Sequence, residues 1–88
     1  MAQLSVDIVA TDRNVWSGVA RSVSAPSFEG QIGILPGHTP LLAVLKPGRV
    51  RVVAADGTGF EVMVTGGFLS VDDGQVTVVA DEVQAVDG

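Results

Sequence analysis

An all-β fold is predicted by the sequence: an antiparallel β-sandwich or flattened barrel of about eight to ten short strands, with no substantial helix. Three observations predict it. Apolar and polar residues alternate with a period of two through most of the chain. Seventeen of the 88 residues are valine, whose branched side chain loses little χ1 freedom on a pleated surface. Turn signals recur roughly every eight to twelve residues, and no segment holds helical spacing long enough to form an amphipathic helix.

Taken in order, Leu4, Val6, Ile8 and Ala10 alternate with Gln3, Ser5 and Asp7, the pattern of a half-buried strand. Thr11–Asn14 reads as a turn. Val19, Val23 and Ala25 share one face of a second strand, which Pro26 is expected to end. Ile32-Gly33-Ile34 is a short strand, and Leu41–Leu45 an apolar run stopped by Lys46-Pro47-Gly48. Val50, Val52 and Ala54 then alternate with Arg49, Arg51 and Val53. Asp56-Gly57 is a hairpin signal leading to Phe60, Val62 and Val64. Gly66-Gly67 breaks the chain before Phe68–Val71. Asp73-Gly74 is a second hairpin signal, and Val76, Val78 and Ala80 complete the set. Residues 1–82 are therefore expected to form one sandwich domain, with 83–88 a flexible tail.

A chain of 88 residues buries only roughly 60–65% of its unfolded surface, so its margin of stability is thin. It has no cysteine, which removes disulfides and thiolate metal sites as supports. No apolar run approaches the ~18 residues of a membrane span, so no direct bilayer insertion is expected. No basic segment precedes an apolar one at the start, which leads to the expectation of a cytoplasmic protein. Charge is divided along the chain. Residues 1–51 carry five basic and three acidic side chains, whereas 52–88 carry seven acidic and no basic ones. The resulting net charge of −5 argues against nucleic acid as a partner.

Little in the chain could carry catalysis. With one histidine and no cysteine, neither a Cys–His pair nor a three-histidine zinc site can be assembled. A triad around His38 lacks any Gly-x-Ser-x-Gly elbow. His38 is a turn residue with a local hydrogen bond, part of a protein interface, or, least in keeping with its surroundings, a catalytic base. Asp56-Gly57-Thr58-Gly59 lacks the Lys and the following helix of a phosphate loop. Asp72 and Asp73 fit turn chemistry. No catalytic residue, cofactor or metal site is expected, and the chain is not read as an enzyme on its own. Trp16 serves either as a core side chain or as an interface anchor. Arg49 and Arg51, on one face of a strand, are either solvated or hold a carboxylate-bearing partner.

The densest information lies in Glu29-Gly-Gln-Ile-Gly-Ile-Leu-Pro-Gly-His-Thr-Pro-Leu-Leu42. Pro36 and Pro40 fix φ, and Ile32, Ile34, Leu35, Leu41 and Leu42 anchor the segment, so that it presents a surface of fixed shape. This segment resembles the signature of the epsilon subunit of F-type ATP synthases, called delta in mitochondria. Leu4–Ala10, Val15-Trp-Ser-Gly18, Leu45–Val52 and Gly66–Val71 with Val76–Asp81 resemble that family too, in its order and spacing, over residues 3 to 82.

The resemblance implies a non-catalytic rotor subunit of the central stalk. Such a subunit docks on the gamma subunit and on the c-ring loops, at the cytoplasmic face of a bacterial plasma membrane, and couples proton translocation to ATP synthesis. Carried over by motif, Glu29, Gly30, Gln31, Ile32 and Gly33 would face the c-ring. Pro36, Gly37, His38 and Pro40 would lie at the gamma and ring contacts, and Trp16, Arg49 and Arg51 would form a secondary interface. Most members continue into a helical hairpin that binds ATP. This sequence stops at Gly88, where that hairpin would begin, so no ATP binding is expected and a naturally short chain is the reading preferred over a truncated one. The alternative outside this family is a free-standing β-barrel that binds a small ligand in its mouth.

Overall fold

Strand β1 (Leu4–Ala10) buries Leu4, Val6, Ile8 and Ala10 and turns Ser5 outward, as its alternation requires. The computed structural model describes residues 3–85 and contains nine strands among them. After β1 come β2 (Arg13–Ser27), β3 (Gly30–Ile34), β4 (Leu41–Leu45) and β5 (Gly48–Ala54). They are followed by β6 (Gly59–Val64), β7 (Gly67–Asp72), β8 (Gln75–Ala80) and β9 (Val83–Ala85).

Strand β2 joins the two layers. Its fifteen residues would reach about 50 Å if straight, yet the molecule is only 32 Å in its longest dimension. It therefore bends, and the register slip between Ala20 and Ser22 marks the place. Before the bend β2 pairs with β1; after it, with β5 and β3. One layer accordingly reads β2–β1–β8–β7–β4, and the other β3–β2–β5–β6–β9. Among the described residues every pairing is antiparallel except β1–β8, because β1 and β8 run in the same direction along the first layer. The inward side chains of both layers (Leu4, Ile8, Leu69 and Val78 against Val23, Ile34, Val50 and Val62) form one aliphatic core.

Three expectations need correction. Pro26 does not end the second strand but lies inside β2. Its carbonyl accepts the Lys46 N–H at 2.9 Å, so its nitrogen faces a corner where pairing with β5 has already stopped at Ser24. The missing N–H thus breaks no ladder bond. The turn after β1 is shorter than expected: Arg13 and Asn14 already pair with Ala10 and Val9. Val83–Ala85, read from the sequence as part of a tail, pair with β6 as β9. Residues 86–88 of that tail lie outside the described residues.

The two open sides of the sandwich are closed differently. On one side Trp16 packs against Phe60 with ring centroids 4.9 Å apart. Its indole covers Gly18, where a Cβ would meet the ring at 2.7 Å. Arg13 also reaches across to the Val83 carbonyl at 3.3 Å. On the other side β4 is tied to the end of β2 at the Ser27–Leu45 corner and by the Phe28 N–H bond to the Val44 carbonyl, and no β3–β4 pairing occurs among the described residues. Beyond that corner an open cleft of about 220 Å³ separates them.

A candidate docking surface

The hairpin tip between β2 and β3 is set by Ser27, whose small hydroxyl fits in the sandwich interior. Ser27 is the buried polar residue of the core, and its Oγ donates to the Gly30 carbonyl at 2.7 Å and accepts the Glu29 N–H at 3.2 Å. That brace fixes Phe28 and Glu29 at the tip. Glu29, Gly30, Gln31 and Gly33 are exposed, while Ile32 is half-buried and packs on the core. Of the five residues for which the resemblance implies a ring contact, four are thus exposed and the fifth packs on the core.

Pro36, Gly37, His38 and Pro40 lie at the other end of β3. The His38 N–H donates to the Leu35 carbonyl at 3.1 Å, with Gly37 at φ +88°. That is the geometry of a type II turn, which places Pro at its second position and needs φ > 0 at its third. His38 Nδ1 lies 2.6 Å from the Thr39 carbonyl, so this nitrogen carries the proton that makes the bond. Both bonds are local, and the ring is half-buried beside a concavity shared with Gln3, Asp72 and Asp73. The signature segment therefore runs from the hairpin tip, along β3, to the turn at its far end. Glu29 and Pro36 flank the five residues of β3, at opposite ends of a span of roughly 13 Å, while Gly30 to Gly33 lie along the strand and only Ile34 and Leu35 separate Gly33 from Pro36.

Trp16 is half-buried against Phe60, whereas Arg49 and Arg51 are exposed on the outer side of β5. At the β5–β6 turn the Thr58 N–H donates to the Asp56 carboxylate at 2.8 Å. That bond, aided by the charge of Arg21, holds the Asp56 carboxyl below the usual carboxylate range.

What the motifs missed is an apolar row across the outer face of the first layer. Val44 pairs with Phe68, and Phe68 with Val79. Phe28 adjoins the row through its N–H bond to the Val44 carbonyl at 3.2 Å. Phe28 is 69% exposed, Val44 and Phe68 each 53%, and Leu42, two residues along β4 from Val44, is 72% exposed. Phe28, Leu42 and Val44 also line the open cleft, with Glu29 and Ile32. Parity was the available signal. With Leu45, Leu69 and Val78 inward, Val44, Phe68 and Val79 must face out.

The family model for the β-sandwich domain of the ATP synthase delta/epsilon chain matches residues 3–86. The chain belongs to that family. The ATP synthase epsilon chain of Micrococcus luteus is 48% identical to it over 99% of this chain and 96% of its own length. That of Bordetella petrii is 47% identical over 92% of this chain, which spans only 57% of the Bordetella chain. Among solved structures, a chain of the Euglena gracilis mitochondrial ATP synthase, in an assembly described as OSCP/F1/c-ring, superposes with a TM-score of 0.91 at 25% identity. This chain covers 57% of that one, matched over 99% of its own residues. A chain from the Tetrahymena thermophila central stalk and c-ring shares the fold, with a TM-score of 0.76 at 18% identity, over 93% of this chain and 66% of that one. Epsilon chains are subunits of a complex rather than catalysts in their own right.

Proposed function

We propose that this chain is a central-stalk subunit that docks on the gamma subunit and on the c-ring loops, so that rotation driven by proton translocation reaches the catalytic heads. In this reading it sits with its complex at the cytoplasmic face of the plasma membrane. The observation that carries the proposal is the row Phe28–Val44–Phe68–Val79, with Leu42 beside it, on the surface of a small acidic protein. Contiguous exposed apolar side chains mark an interaction site, and membership of the epsilon family says what kind of assembly would cover it. A stable junction buries more than about 1,000 Å² in total, or roughly a tenth of this chain's 5143 Å² surface from its own side.

The ends of β3 divide the labour. The hairpin tip at Glu29 and the exposed Gly30, Gln31 and Gly33 along β3 are assigned to the ring. The outer apolar row, and the turn carrying Pro36, Gly37, His38 and Pro40 at the far end, are assigned to gamma. The sandwich between them is suited to bearing load, since a close-packed aliphatic core is hard to compress. A ligand-binding barrel finds no support, because the facing layers fill the interior with Leu, Ile, Val and Ala side chains.

Gly33→Trp tests the ring assignment. A Cβ at Gly33 meets nothing within 4 Å and the residue is exposed, so an added indole is expected to extend into solvent, where a docked partner would feel it. Proton-driven ATP synthesis in reconstituted vesicles is expected to fall while the variant melts at the wild-type temperature. Undiminished coupling would place the ring contact on another edge.

A further inference from the structure

The outer face of the second layer is the chemical opposite of the apolar row. Arg49 and Arg51 stand on β5, and Arg21 projects from the bend of β2, in a chain whose net charge is −5. In register, Arg51 sits between Ser24 of β2 and Glu61 of β6. The Glu61 carboxylate nevertheless turns to Arg49, at 3.8 Å. Arg51 has no ion pair among the described residues, and its guanidinium extends beside Gly59, 3.7 Å from where a Cβ would stand. Arg21 spends its Nε on the Ala55 carbonyl at 3.0 Å. Around these cations the neighbouring strands present Ser22, Ser24 and Gly59, small residues that leave the planar guanidinium of Arg51 open to approach.

We infer that this face binds an acidic polypeptide segment, with Arg49 and Arg51 as the paired carboxylate receptors and Arg21 as a flanking cation. Residues two apart on a strand are about 6.6 Å apart. Carboxylates four apart on a helix rise about 6 Å, so a Glu pair at that spacing can meet both arginines at once. Guanidinium forks hold carboxylates by two parallel bonds. A polyanionic membrane is the poorer fit: Glu61 lies within the face, and the acidic remainder of the chain would be repelled by an extended anionic surface. This site lies on the layer opposite the proposed gamma contact and stands independently of it.

The test is a titration of the isotope-labelled chain with a helical peptide carrying Glu pairs at i and i+4, followed by amide shifts. Saturable shifts confined to residues 21–24, 49–51 and 59–61 are expected, weakening as salt rises. Arg49→Gln with Arg51→Gln should weaken binding at least about tenfold, and Arg→Lys at both positions should restore it only in part. A peptide with Gln in place of Glu should not bind. Overturning results are the absence of saturable shifts, equal binding by the Gln variant, or arginine-dependent binding to phosphatidylglycerol vesicles in preference to the peptide.

Discussion

Gly67→Ala is expected to unfold much of the population at physiological temperature. Gly67 opens β7 at φ +144°, and a Cβ there would stand 1.9 Å from the Val79 carbonyl oxygen and 2.8 Å from the Ala80 Cα. Both neighbours are backbone of the adjacent strand, so no side chain can swing aside. Relief requires β7 and β8 to part where Gly67 pairs with Ala80, or Gly67 to leave its pairing with Leu45. A strained backbone plus a broken ladder costs about 3 kcal/mol or more. In a domain this small each kcal/mol shifts Tm by about 4–8 °C, so the melt should fall by at least about 12 °C. Gly33→Ala, with open space at its Cβ, is the matched control and should melt with the wild type. Equal melting of the two variants would show that β7 and β8 are not held as described.

The second large effect is on assembly rather than on folding. Replacing Phe28 and Leu42 together by Ser should weaken association with gamma at least about thirtyfold, since truncating even one anchor buried in an interface costs about 2 kcal/mol. Stability should hardly change, because both side chains already face solvent in the isolated chain. Met63→Ser, an exposed apolar residue on the opposite layer at 38%, should leave association intact. Quantitative binding to purified gamma separates the cases. Loss of affinity with Met63→Ser but not with the double variant would move the interface to the other layer.

Strand faces were legible because burial on a sheet follows parity, and β1, β5, β6 and β8 kept the alternation of their residues. The Asp73-Gly74 hairpin was legible for a local reason: both residues adopt positive φ, 49° and 79°, as a type I′ turn requires. Pro26 was misread, and the tight packing of Gly67 went unread, because both depend on neighbours distant in sequence. Pro26 faces the start of β5 across a corner, and Gly67 lies under the backbone of β8. β9 is three residues long, too short for periodicity to register, and exists only because β6 offers an edge. The signature segment advertised a rigid surface but not that β3 would stretch it from the hairpin tip at Glu29 to the turn at Pro36. Exposure of Phe68 and Val44 was implicit in parity, yet apolar residues in a valine-rich chain read most readily as core.

The central claim is that this chain is a docked subunit of the stalk, and copurification tests it most directly. The tagged chain, expressed in its own cells, should bring down gamma and the c-ring from detergent-solubilised membranes in constant proportion, and the Phe28/Leu42 double variant should not. Recovery of the wild-type chain free of both partners, under conditions where the rest of the synthase stays assembled, would contradict the account.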